Sequence, residues 1–276
     1  MLPCEQPAPG LALTASQAVC GKLPIMETID ILAATLPRQR ALPALLWAGA
    51  GAITLLLAQA LGIAAYVIVV RFTPSGQFLS VLQVLQNPLA LAGSAVLSTP
   101  AIVALFWGLT RLRTREVAEY LALCWPSLRA FGFGALALLV FLAVLYLLPA
   151  HLFEADDKFM RNMASAARTA GALPLLAIAL VVAAPICEEL AFRGFLFRTL
   201  EGKFGATVAI VTTALGWAAL HLQYSLAGLM VVLGCGLLLG IVRRYSGSLY
   251  LTMILHATWN GASLATALLM GVAPKL

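Results

Sequence analysis

ALPLLAIALVVAAPICEELAFRGFLFRTL, residues 172–200, is the stretch whose reading decides the fold. Its first 16 residues, 172–187, carry no charge, and Glu188, Glu189 and Arg193 follow before any loop signal appears. A membrane span needs about 20 mostly apolar residues. An Arg or Asp at the centre of one costs about 2.5–3.5 kcal/mol, and glutamate is of that order, so three charges amount to about 7–10 kcal/mol before pairing. That is comparable to the stability of a whole domain. Such groups must face a protein-lined or wet cavity, and they are functional candidates.

The rest of the chain has the same character. Hydrophobic residues make up 62% of 276 and charged residues 10%, and the mean hydropathy is +0.98. Soluble domains carry about 25% charged residues, so the solvent of this surface is lipid. About seven apolar runs follow, near 46–70, 87–109, 131–149, 172–192, 205–222, 225–242 and 248–270. They are continuous rather than alternating, which excludes a β-barrel. The fold class is therefore an all-α membrane protein, a multi-pass bundle of about seven transmembrane helices. Three regions follow: an N-terminal cytosolic segment, 1–45; three spans with an interfacial segment, 46–171; and a four-helix core, 172–270.

Charge sets the orientation. The net charge of +6 is spread over span ends and does not indicate nucleic-acid binding. Arg38 and Arg40 precede the first run. Arg111, Arg113, Arg115 and Arg129 surround the second connection. Arg198 and Lys203 follow the fourth run, and Arg243 and Arg244 the sixth. The positive-inside rule then puts the N-terminus in the cytosol and the C-terminus outside. Residues 1–21 hold Glu5 and no Lys or Arg, and do not read as a secretory signal. The segment 112–128 is amphipathic and is expected in the interface plane. Residues 150–171 read as a mixed loop, with His151 solvated beside acidic residues. Gly236 and Gly240 have the spacing of close helix packing within one bundle. Cys4, Cys20, Cys124, Cys187 and Cys235 have no ligand spacing and read as small apolar filler. An Ala-, Leu- and Arg-rich, Lys-poor composition points to a GC-rich bacterial genome, hence to the inner membrane.

Two further polar clusters interrupt apolar runs: ALGWAALHLQY, 214–224, with His221, and MILHATWNGAS, 253–263, with His256 and Asn260. Glu189 and Arg193 are four residues apart and share a helix face, as an ion pair would. Glu188 points about 100° away and is left free for chemistry. His256 and Asn260 also share a face. A carboxylate near an imidazole can deprotonate water, and imidazole and amide N–H groups can hold an oxyanion. One tension remains: His221 lies late in an outward-running span while His256 lies near the cytosolic end of its own. Their depths match only if the fifth helix is tilted or starts deeper, or if the following loop re-enters.

At these residues the chain resembles the CPBP family of intramembrane proteases, the type II CAAX prenyl endopeptidases and bacteriocin-processing (Abi) enzymes. EELAFRGFLFRTL resembles the family's EExxxR motif, WAALH stands where the family has FxxxH, and HATWN matches HxxxN. Trp217 in place of phenylalanine is a departure that keeps an aromatic ring. The resemblance covers about 172–265. It implies that Glu188 and His221 activate water, that His256 and Asn260 are oxyanion donors, and that Glu189 and Arg193 support the site. It implies an endopeptidase acting on a membrane protein or peptide at the lipid bilayer, with no nucleic-acid partner and no required cofactor. Zinc is the alternative, held by Glu188, His221 and His256, although no HExxH helix is present. The residues also leave open a transporter or proton relay, and a catalytically silent immunity or scaffold protein.

Overall fold

The structure, a computed structural model, describes residues 41–72, 80, 83–84 and 87–270. The N-terminal segment lies outside these residues up to 40. Every regular element among the described residues is helical. Helix α1, Ala41–Arg71, pairs with α2, Pro88–Arg111. A one-turn α3, Val117–Tyr120, precedes α4, Leu128–Tyr146, and α5, Glu154–Thr169. Then come α6, Leu173–Phe204, α7, Ala206–Ala218, α8, Leu226–Ser246, and α9, Leu249–Met270.

Local chemistry sets many of these boundaries. Asn87 caps α2 by accepting from the backbone N–H groups of Leu89 and Ala90, with Pro88 behind it. Ser127 caps α4 and Ser225 caps α8 in the same way. Gly247 ends α8 in the left-handed region, at φ 63°. The α1–α2 pair is close because small residues face each other: a Cβ on Gly62 would lie 2.5 Å from the Ser98 Cβ.

Five helices, α1, α2, α4, α6 and α8, are long and apolar enough to cross a membrane. Their outer faces carry exposed Ile53, Leu56, Leu136, Leu139 and Val144. Together with the composition this makes the protein an all-α membrane bundle. Helix α9 has 22 residues, enough to span, but its His, Asn, Thr and Ser residues dilute its hydropathy. The seven expected runs each correspond to a helix, with three differences. The fourth continues unbroken for 32 residues to Phe204. The fifth stops at Ala218 after 13 residues, about 20 Å. The stretch read as a loop, 150–171, contains α5, whose Met163, Ala164 and Ala167 are buried against α6 and α9.

Helix α6 is the centre of the molecule. Its Leu190, Ala191, Phe192 and Phe195 pack with Ile102 and Phe106 of α2, Trp217 of α7, Leu239 and Val242 of α8, and Leu251 and Leu255 of α9. Basic residues from the loop after α2, from α6 itself and from the end of α8 meet at its C-terminal end. Arg113 donates to Thr199 at 3.2 Å and lies over the Trp47 and Tyr120 rings. Arg198 and Arg244 flank Glu201 at 3.3 and 3.5 Å. Ala122, at φ 54°, and the backbone bond from Leu249 to its carbonyl tie the 112–128 segment to the start of α9.

Candidate active site

Helix α6 departs from α-geometry twice, at the π turns Ala179–Ala183 and Leu190–Leu196. The first has a cause in the sequence. In π register the carbonyl of residue 180 faces the nitrogen of residue 185, and Pro185 has no N–H to give. The Leu180 carbonyl instead accepts from Asn260 Nδ2 at 2.8 Å. At the second π turn the Arg193 carbonyl accepts from Arg243 Nε at 3.0 Å. Both loosened turns are thus secured by side chains from neighbouring helices, and the two glutamates lie between them. Each π turn takes five residues where an α turn takes four, so together they set which face of α6 carries the acidic pair.

Glu189 and Arg193 are both fully buried. Arg193 Nη1 donates to Glu189 Oε1 at 3.0 Å, and Nη2 donates to the Gly236 carbonyl at 3.0 Å. The guanidinium lies 4.7 Å from the centre of the Trp217 ring. His256 Nδ1 is 3.0 Å from the same Glu189 oxygen. A carboxylate oxygen accepts, so Nδ1 is the donor and Nε2 is turned away from Glu189. That Nε2 lies 4.0 Å from Glu188 Oε2, too far for a direct hydrogen bond and within reach of one bridging molecule.

Glu188 is the partly open member of the pair, with its side chain 20% exposed. Its Oε2 accepts from the indole Nε1 of Trp217. The spacing that pairs Glu189 with Arg193 matches the ion pair seen: Glu189 is enclosed by Arg193 and His256, while Glu188 is partly exposed. His221 is placed differently from the expectation that it partners Glu188. Its Nδ1 is 2.9 Å from the Trp217 carbonyl, and no ion pair joins it to Glu188 among the described residues. The imidazole nearest Glu188 is that of His256.

The depth tension disappears with the short α7. His221 stands in a turn just past that helix, in the body of the bundle. Its ring is 5.0 Å from Trp217, and the His256 ring is 5.2 Å from the same indole. The turn is held from below by α5. Asp156 accepts from the Ser225 N–H at 2.7 Å and from its hydroxyl at 2.6 Å. Tyr224 meets Phe159 edge-on. Gly228 permits this approach, since a Cβ there would lie 2.5 Å from Asp156 Oδ2.

Gly236 and Gly240 pack α8 on α7, where added Cβ atoms would lie 3.1 Å from Ala214 and from Ile210 respectively. Cys187 and Cys235 are buried among apolar neighbours. Among the described residues no three His, Cys, Asp or Glu side chains come together as a metal site. The set Glu188, His221 and His256 does not converge in this arrangement. Sequence reasoning missed Arg243, read as an end-of-span charge but only 6% exposed, and the hydrogen bond of Trp217. Arg243 and Arg244 differ in burial, which adjacency in sequence does not reveal.

The arrangement defines a class: a helical membrane protein with a cluster of carboxylate, guanidinium and imidazole groups at the middle of a central helix. Residues 170–262, about a third of the chain, match the family model for Rce1-like proteins, described as Type II CAAX prenyl endopeptidase Rce1-like. This stretch runs from the start of α6 into α9 and supports the resemblance to the CPBP family; Glu188, Glu189, Arg193, His221, His256 and Asn260 all fall within it. No curated protein and no solved structure matches the chain.

Proposed function

We propose that the protein is an intramembrane endopeptidase that hydrolyses a peptide bond of a membrane-associated protein or peptide, with Glu188 as general base. One observation carries this reading. Of two adjacent glutamates, Glu189 is sealed in a buried ion pair while Glu188 is open beside an imidazole. Glu188 takes a proton from a water molecule as the water oxygen bonds to the scissile carbonyl carbon and the carbonyl electron pair moves to oxygen. The carbonyl then re-forms, the C–N bond breaks, and the proton passes from Glu188 to the leaving nitrogen. His256 and His221, whose rings lie 5.2 and 5.0 Å from the Trp217 ring, are the imidazoles available to the reacting water and carbonyl. Asn260 commits one N–H to Leu180 and has a second for the oxyanion. No cofactor enters this sequence.

The basic end of the bundle is placed in the cytosol on this reading, with the N-terminus on the same side. The test is comparative proteomics of membrane fractions from cells carrying wild-type or Glu188→Ala protein at equal abundance. A fragment present only with wild type identifies substrate and bond. Identical fragment sets, with both proteins inserted, would remove the reading.

A further inference from the structure

Trp217 touches four polar residues of the site, Glu188, Arg193, His221 and His256. Its indole N–H donates to Glu188 Oε2, and its ring face receives the Arg193 guanidinium at 4.7 Å. Both imidazole rings lie within 5.2 Å of it, and its carbonyl meets His221 Nδ1. It is 3% exposed and wedged against Gly236, where an added Cβ would lie 3.1 Å from its Cε3. This packing leaves the indole little freedom to turn. An indole is a donor with no acceptor, and a buried one needs a partner. Here the partner is the one carboxylate that is open for chemistry.

We propose that Trp217 is a positioning residue for Glu188. The indole N–H occupies one lone pair of Oε2 and fixes the rotation of the carboxylate, so that the remaining lone pairs are directed at the water. The side chain of Glu188 makes no other hydrogen bond among the described residues, and 20% of it is exposed. Without the indole its rotamer would be free. The phenylalanine that the family's motif has at this position offers a smaller ring face to Arg193, and it has no N–H. The departure from the motif is therefore a chemical change in how the base is held. The inference rests on the protease reading for its consequence and on geometry alone for the hydrogen bond, so the two can fail separately.

The experiment has two readouts. The full chain, labelled with 15N-tryptophan in lipid nanodiscs, gives one indole N–H resonance for each of its five tryptophans. That of Trp217 is assigned by its loss in Trp217→Phe. It is expected to move on Glu188→Ala while Trp107 and Trp125 stay in place, and an unmoved Trp217 signal overturns the hydrogen bond. The second readout is the rate of appearance of the Glu188-dependent membrane fragment. Trp217→Phe is expected to lower kcat about ten- to a hundredfold, the effect of one hydrogen bond to a charged group. KM should be unchanged, while the unfolding temperature falls because a smaller ring leaves buried space unfilled. Should Trp217→Phe unfold, benzothienylalanine at 217 keeps the shape of the indole and replaces only the N–H. A folded variant that cleaves at the wild-type rate overturns the positioning role. Loss of the fragment question altogether, with wild type itself producing none, overturns the protease reading and its dependent role, while the resonance still reports the bond.

Discussion

Two glutamates side by side on one helix have opposite surroundings, and their substitution should separate accordingly. Glu189, with Arg193 and His256 on it, is part of the structure of the bundle. Glu189→Ala leaves the Arg193 charge buried, and breaking such a pair typically costs about 3–5 kcal/mol. A large drop in unfolding temperature is expected. The double variant Glu189→Leu with Arg193→Met should recover part of it, because no isolated charge remains. Glu188→Gln should leave the unfolding temperature near wild type and remove about 10²–10⁴ of the cleavage rate, the usual contribution of a general base. A folded, inactive Glu189→Gln beside an active Glu188→Gln would reverse the assignment.

At the scale of the element, α6 is a long helix whose two π turns are secured from outside. Arg243 and Arg244 are adjacent in sequence and provide a built-in comparison. Arg243 is buried, donates to the Arg193 carbonyl and lies over the Phe197 ring at 5.4 Å. Arg244 meets Glu201 at a half-open surface. Arg243→Met should destabilise by about 1–3 kcal/mol, the cost of leaving a buried polar group unmet. Arg244→Met should cost under about 1 kcal/mol. Equal effects in a chemical unfolding titration would contradict the capping role. Asp156→Ala, which removes the cap contributed by α5, should cost about 0.5–2 kcal/mol. It should also raise hydrogen exchange selectively in residues 219–225. Uniform exchange across α7 and α8 would argue against α5 holding the His221 turn.

For the whole molecule, the meeting of Arg113, Arg198 and Arg244 at one end of the bundle accounts for the basic loops better than any local reading does. It also makes the orientation testable. In a background freed of reactive thiols, Lys203→Cys lies in the last turn of α6 and Arg168→Cys in the last turn of α5, just before α6 begins. A membrane-impermeant thiol reagent applied to intact cells should label Arg168→Cys and spare Lys203→Cys until the membrane is opened. Labelling of both from one side would mean that α6 does not cross.

What the amino-acid order by itself determined is the solvent, the helical class and a set of candidate site residues. These follow from one-dimensional facts: continuous apolar length, the cost of charge in lipid, and the four-residue spacing of Glu189 with Arg193 and of His256 with Asn260. The amphipathic α5 was also written there, since Phe159, Met160, Met163, Ala164 and Ala167 recur at helical period, but the acidic start of the segment obscured it. Only the tertiary structure decided which imidazole faces Glu188, how deep His221 sits, and that Trp217 and Arg243 belong to the site. Those are relations between helices. They depend on where α7 stops, how the π turns rotate α6, and which side chain reaches a carbonyl that Pro185 leaves without a donor. The glutamate pair has a local spacing that one helix reveals, whereas the different surroundings of its two members come from partners 29 to 67 residues away in the chain.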